Sequence, residues 1–281
     1  MKIFNNIQEI SAWTTFEKKA GKSIGFVPTM GALHQGHLAL VEQARKENDL
    51  VVCSIFVNPI QFNRPEDLAT YPRTLDEDLK LLETVRCDAV FCPEVQEMYP
   101  HPEQKNYDFG TLDKVMEGKY RQGHFNGVAV VVSKLFGIVS PDRAYFGRKD
   151  FQQLQVIRAL VVMEGLDVEI IACPTVREED GLAMSSRNRR LSASQRSEAS
   201  TIYRALTAAR SMYPDVPLHD IRERVISQIN ASPELEVEYV EIVRADTLLP
   251  AEKHTDDVEL VTCVAVNAGN IRLIDNMSLN S

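Results

Sequence analysis

Two imidazoles stand three residues apart in His34-Gln35-Gly36-His37, one short turn beyond the apolar run Ile24-Gly25-Phe26-Val27-Pro28-Thr29. If helical geometry begins by Gly36, both rings share one side of the first turn. Beside a polyphosphate, both can donate hydrogen bonds to oxygens that gain charge as a phosphoryl bond breaks. The pair also suits half of a metal site, or two solvated residues. A zinc centre would need further His, Cys or carboxylate ligands at suitable spacing, and none stands out.

Other segments carry polar chemistry. Asn58-Pro59-Ile60-Gln61-Phe62 follows the strand-like run 50–57. The amides of Asn58 and Gln61 donate and accept together, which suits a substrate with hydroxyl and carboxylate groups; a turn built on Asn-Pro explains them as well. Gly147-Arg148-Lys149-Asp150-Phe151-Gln152-Gln153 repeats the order strand, turn, helix. Lys149 at a helix start opposes the dipole and gains little unless an anion is near, so a phosphate would rationalise it. Asp150 is placed to cap the following helix, with Gln153 three residues on; a plain surface helix start also fits. Met184-Ser185-Ser186-Arg187-Asn188-Arg189-Arg190 is rich in hydroxyls and basic within an acidic chain. Its serines and Arg187 fork fit phosphate oxygens and suit a mobile lid, although charge runs are usually solvated. Arg121 is a candidate carboxylate binder, and Gly123 and Gly127 imply that something, ligand or neighbour, approaches the backbone closely. Tyr71-Pro72-Arg73 and the acids Asp76, Glu77 and Asp78 would orient a substrate loop or meet magnesium; a solvated helix start explains the acids equally well.

These groups need a scaffold. Apolar runs at 24–27, 50–57, 89–92, 144–146 and 168–172 read as strands, with helical patterns between most of them. After Met30-Gly31, Leu38, Val41 and Ala44 recur three apart on a helix with one apolar face, whose unpaired N–H groups welcome an anion. Gly36 lets such a ligand approach the backbone. An apolar helix is expected over 128–139. Alternation of this kind points to an α/β, Rossmann-like parallel sheet that binds ligands at the carboxyl ends of its strands. The texture changes near residue 176, giving an expected division into 1–175 and 176–281. The second part reads as helices over about 194–212 and 218–231, then antiparallel strands at 237–243, 260–266 and 271–274, a smaller α+β domain.

Composition sets outer limits. With 281 residues, 44% hydrophobic and 25% charged, the chain has the make-up of a globular protein large enough for two domains. A net charge of −9 argues against a nucleic-acid coat while leaving room for a local anion site. No apolar stretch approaches the ~18 residues of a membrane span, and Met1-Lys2-Ile3-Phe4-Asn5-Asn6-Ile7 lacks a signal-peptide pattern, so the cytoplasm is expected. Five cysteines without a C-x-x-C pair read as small buried hydrophobes.

Taken in order, Pro28-Thr-Met-Gly-Ala-Leu-His-Gln-Gly-His37, Phe56-Val-Asn-Pro-Ile-Gln-Phe62, Arg121-Gln-Gly-His-Phe125, Gly147-Arg-Lys-Asp150 with Gln152-Gln153, and Met184-Ser-Ser-Arg-Asn188 closely resemble the pantoate–β-alanine ligases. The resemblance spans nearly the whole chain. A lone His-x-Gly-His would indicate only the wider nucleotidyltransferase group.

It implies a Rossmann-like domain, a smaller covering domain and a homodimer. It also implies that ATP, with magnesium, and (R)-pantoate form a pantoyl adenylate, from which β-alanine displaces AMP. By position, it assigns ATP binding to Met30, Gly31, Ala32, Leu33, His34, Gln35, Gly36 and His37, with His37 as the usual proton donor and His34 beside it. Gly147, Arg148, Lys149 and Asp150 would contact nucleotide, Lys149 at a phosphate and Asp150 at the ribose. Val176 would touch adenine, and Met184, Ser185, Ser186 and Arg187 would close on the triphosphate. Gln61 and Gln153 would hold pantoate, with Asn58 and Arg121 also assigned to pantoate or β-alanine. Arg148 and Glu77 depart from the residues common at those places. A rival nucleotidyltransferase would lack the Gln pair; a non-catalytic nucleotide sensor would be expected to lose His34, His37 or Lys149.

Overall fold

A computed structural model describes residues 1–280, which group into two compact units. The first comprises Met1–Phe109, Gly118–Arg148 and Gln153–Pro174; the second comprises Gly110–Glu117, Lys149–Gln152 and the chain from Thr175 onward.

The first unit is built on β1 (Lys2–Phe4), β2 (Ile24–Thr29), β3 (Leu50–Ile55), β4 (Ala89–Phe91), β5 (Arg143–Gly147) and β6 (Glu169–Cys173). They form one sheet in the order β1-β4-β3-β2-β5-β6, every pairing parallel. Parallel strands covered on both faces should be apolar throughout, and Ile24 to Val27, Val51 to Ser54 and Ala89 to Phe91 are all buried. The chain leaves β2 through the helix Gln35–Glu47 towards β3 and β4, then returns through His124–Val139 to β5 on the other side of β2. Connections therefore diverge at the β2/β5 border, and a crevice forms where the strand order reverses. Val27, Leu38, Val41, Val51, Val90 and Tyr145 pack in one buried cluster. Burying each large apolar side chain contributes about 1.5–3 kcal/mol.

The first strand and the first helix were among the elements not read from the sequence. β1 is a three-residue edge strand, too short for a pattern, and the helix Ile7–Lys19 follows it, opened by Asn6, whose side chain accepts from Glu9 N at 2.9 Å. The apolar helix expected over 128–139 begins four residues earlier, at His124.

The second unit carries an antiparallel sheet of β7 (Glu236–Arg244), β8 (Leu260–Ala268) and β9 (Ile271–Ser278). The helices Thr201–Met212 and Leu218–Asn230 bury Ile202, Leu206, Ile221, Val225 and Ile229 in one core with Val240, Val264 and Leu273 of the sheet. The single helix expected over 194–212 is instead two, Ala193–Ala199 and Thr201–Met212, meeting at Ser200. Ser200 Oγ donates to Ser197 O at 3.4 Å, a local bond of the kind that competes with helical pairing.

Candidate active site

β2 ends at Thr29 and β5 at Gly147, so the loops after both strands open on the crevice where connections diverge. His34 is the N-cap of the helix Gln35–Glu47, with extended backbone. Its Nδ1 accepts from Gly36 N at 3.1 Å, while His37 Nδ1 accepts from His34 N at 3.3 Å. The two rings lie 4.1 Å apart between centroids, tilted by 39°. This is a capping box in which imidazoles replace the usual hydroxyl and carboxylate. An imidazole nitrogen that accepts a hydrogen bond carries no proton, so in each neutral ring the proton resides on Nε2. The cap thereby turns both rings into N–H donors and holds them at the positive end of the helix.

The turn leading into this helix is anchored from elsewhere. Ala32 N and Leu33 N donate to the Asp78 carboxylate at 2.9 and 2.8 Å, and the side chains of Ala32 and Leu33 are buried. Those two N–H groups therefore have a partner inside the protein. Of the acids considered as magnesium ligands, Asp78 is buried on this duty, whereas Asp76 and Glu77 are exposed.

Gln61 stands beside Met30: its Nε2 lies 3.1 Å from Met30 Sδ. Buried Asn58 donates through Nδ2 to Gln61 Oε1 at 3.1 Å and to Gly127 O at 3.0 Å, and accepts from the Tyr99 hydroxyl at 2.9 Å. Both of its amide protons are thus used in orienting Gln61 and docking the turn Pro59–Gln61 onto the helix His124–Val139. Gly127 explains that docking: a Cβ there would meet Ile60 O at 2.5 Å and Gln61 Cα at 2.6 Å. The close approach implied by this glycine is to a neighbouring backbone. His124 Nδ1 lies 2.9 Å from Gln61 O, a further tie at the same place.

Lys149 and Asp150 lie in the 3-10 turn Arg148–Asp150 ahead of the helix Phe151–Glu164, with Lys149 Nζ 3.7 Å from Asp150 Oδ1. Within the second unit the Lys149 carbonyl accepts from Asn276 Nδ2 at 2.8 Å. Neighbouring Asp275 forms a two-pronged pair with Arg177 at 2.7 and 3.0 Å, and the Arg177 guanidinium lies 4.6 Å from the Tyr203 ring centroid. Burial pushes the Asp275 carboxyl up, against the pull of Arg177 in the opposite direction. Val176 and Met184 face each other across a tight turn: Met184 N donates to Val176 O at 3.0 Å, and Arg177 bridges Ala183. Ser185 caps the 3-10 turn Ser186–Arg190 by accepting from Arg187 N at 3.3 Å.

A family model described as pantoate-beta-alanine ligase matches residues 2–278. The chain belongs to that family.

Pantothenate synthetases of Porphyromonas gingivalis and Phocaeicola vulgatus are 49% and 50% identical to it over 277 and 278 residues, covering 99% of both chains in each comparison. The crystal structure of the Thermus thermophilus pantothenate synthetase superposes with a TM-score of 0.94 at 44% identity, covering 100% of both chains. That of the Francisella tularensis pantoate-beta-alanine ligase, complexed with beta-gamma ATP and beta-alanine, superposes with a TM-score of 0.85 at 35% identity, covering 100% of this chain and 98% of the other.

Within this ligase fold the first unit brings together Met30, Gly31, His34, Gln35, Gly36, His37, Asn58 and Gln61 around the end of β2 and its neighbours. Gly147 has no atom within 4 Å of an added Cβ and no left-handed backbone, so packing does not demand a glycine there. Arg121 lies half-buried in the turn before the helix His124–Val139, and Gln153 half-buried in the first turn of Phe151–Glu164. Gln152, its neighbour, is structural: it bonds Leu112 O, Val115 O and Glu117 N. Tyr99, His124 and Asn276 were not identified from the sequence, because each acts on a residue 41 to 127 positions away. Among the described residues no three His, Cys, Asp or Glu side chains come together to hold a metal ion, and no helix is long and apolar enough to cross a membrane.

Proposed function

We propose that this chain condenses (R)-pantoate with β-alanine at the expense of ATP, releasing AMP and pyrophosphate. The observation that carries the reading is the histidine cap: two rings with both Nδ1 atoms accepting, and therefore two Nε2–H donors at a helix N-terminus where the sheet order reverses. Donors aimed where charge develops stabilise a transition state more than a ground state.

In the first half-reaction a pantoate carboxylate oxygen attacks the α-phosphorus of ATP. The new O–P bond forms as the bond to the bridging oxygen breaks, and pyrophosphate leaves with that electron pair. His37 and His34 hydrogen-bond the oxygens that gain charge, and Lys149 offsets charge on the phosphates. Magnesium enters with ATP as part of the substrate and adds charge neutralisation. In the second half-reaction the β-alanine amine attacks the pantoyl carbon, the C–N bond forms, AMP departs with its electron pair, and the amine proton passes to solvent.

Gln61 and Gln153 hold the pantoate hydroxyl and carboxylate groups. Asn58 supports that binding by fixing Gln61, and Arg121 serves a substrate carboxylate. Gly147, Arg148 and Asp150 contact nucleotide; the open space at Gly147 supports a ligand lying against its backbone. Val176 meets adenine, and Met184, Ser185, Ser186 and Arg187 meet the triphosphate, since hydroxyl and guanidinium donors suit its oxygens. We further propose a cytoplasmic homodimer.

The test is pyrophosphate release from magnesium and ATP by the purified chain, first with pantoate alone and then with β-alanine added. A pantoate-dependent burst that becomes steady turnover to AMP and pantothenate is expected. Folded protein that releases no pyrophosphate in response to pantoate would overturn the reading.

A further inference from the structure

The turn after β2 is a ready-made anion cradle that is already filled. Gly31 and Ala32 both have left-handed backbones, φ 77° and 49°, and the N–H groups of Ala32 and Leu33 converge on one carboxylate. Successive N–H groups arranged in this way bind anions, including phosphates in other nucleotide-binding loops. Here the anion is Asp78, 1% exposed, which also accepts from Thr74 Oγ1 at 3.2 Å. Asp78 lies in the first turn of the helix Leu75–Thr84, where the dipole favours a negative charge.

Relative strength decides which partner holds the other. A left-handed backbone is strained on a residue with a Cβ, whereas hydrogen bonds to a charged acceptor are among the stronger ones. Two such bonds outweigh the strain at Ala32, so the carboxylate keeps the turn in its left-handed form. The second bond fixes Leu33, whose carbonyl carbon is joined to the backbone nitrogen of His34. That N–H is the group that His37 Nδ1 accepts from. An internal anion thus anchors the residue just before the N–H that selects the proton position on a candidate catalytic ring. It also closes the cradle to substrate, leaving phosphate oxygens to the helix N-terminus and the two imidazoles.

We propose that Asp78 is a positioning residue for adenylate formation, acting through the Gly31-Ala32-Leu33 turn to fix the tautomer and orientation of His34 and His37. The kinetic arm of the test rests on the reaction proposed above; the spectroscopic arm does not.

Asp78→Asn preserves volume but turns an amide NH2 towards the two N–H donors. Pantoate-dependent pyrophosphate release should fall about tenfold to a hundredfold in kcat, the scale of a small misplacement of catalytic groups, with smaller changes in the KM for ATP and pantoate. Long-range proton–nitrogen spectra of histidine-labelled protein should show His34 and His37 as Nε2–H tautomers in the wild type and as mixtures in the variant. Gly31→Ala attacks the same turn from the loop side, since its Cβ would lie 2.9 Å from Asp78 Oδ2, and serves if Asp78→Asn does not fold. Folded variants with wild-type kcat and unchanged imidazole spectra would overturn the proposal. So would a kcat loss with unchanged spectra, because Asp78 would then act on substrate directly. Altered tautomers in the variant, with a wild-type chain that releases no pyrophosphate, would support the positioning role and count only against the proposed reaction.

Discussion

The histidine pair of the first unit and Lys149 of the second are secured in opposite ways. His34 and His37 are held by their own chain, each ring bonding an N–H two or three residues away. The Lys149 carbonyl is held by Asn276, 127 residues later, in a sheet braced by Arg177 with Asp275 and by Arg272 with Glu117, pairs separated by 98 and 155 positions. Local caps cost little entropy to form and persist wherever the helix persists. Long-range polar pairs exist only once the whole unit has folded, and each leaves a buried charge exposed to loss of its partner.

The greatest expected effect follows from that difference. Arg272 grips Glu117 with two bonds of 2.7 Å and reaches Glu238, while the Tyr239 hydroxyl donates to Glu117 at 2.9 Å. Burial, with the Glu117 carboxylate beside it, pushes the Tyr239 phenol far above its ordinary value, so it remains a donor. Arg272→Met strands the buried Glu117 carboxylate and is expected to cost about 3–5 kcal/mol, read as a lowered melting temperature. Replacing the network as a whole, with Glu117→Met, Arg272→Met and Tyr239→Phe together, should recover most of that loss. A single variant as stable as the wild type would show that the second unit does not depend on this pair.

His37→Ala should behave in the reverse sense. Losing one transition-state donor is expected to lower pantoate-dependent pyrophosphate release about 10²–10³-fold. Loss of its part in the cap should cost about 0.5–2 kcal/mol. Single-turnover rates and a thermal melt on the same preparation separate the two effects. Near-normal turnover in the folded variant would remove His37 from the chemistry.

The contrast also explains what could be read in the sequence. The strands at the centre of the parallel sheet carry buried apolar runs, and Leu218, Ile221, Val225 and Ile229 show the spacing of one helical face, so these elements were visible. The histidine pair was visible because it is written within four consecutive residues, whereas the capping box that it forms emerges only from the folded backbone. β1 was not, because three residues at a sheet edge owe their conformation to pairing with β4. Asp78 stood among three acids of like composition, and only folding distinguishes the one that meets Ala32 and Leu33 from the exposed Asp76 and Glu77. Asn58 was read as a turn residue or a substrate amide, yet its side chain bonds Gln61, Gly127 and Tyr99; the latter two are partners that no spacing rule could supply.

The smallest expected effect concerns the turn between Val176 and Met184, where the second unit combines local and distant ties. Arg196 pairs with Asp180 and with Glu178, at 2.5 and 2.6 Å, on the partly exposed side of that turn. The hydrogen bond from Arg196 holds the Asp180 carboxyl below its usual range. A carboxylate depressed in the folded state is more often protonated in the unfolded chain, so its contribution is full above the unfolded value near 4 and is lost as pH falls through the folded value. Solvent screening keeps such a pair to about 0.2–1 kcal/mol. Arg196→Gln should therefore lower stability slightly at pH 7, by an amount that shrinks in high salt and fades as pH falls below about 4. Denaturant melts of both chains between pH 3 and pH 7, with and without about 1 M salt, measure it. A difference independent of pH and salt would mean that Arg196 supports the turn through the packing of its stem, and the second unit would then rely on charge only where charge is buried.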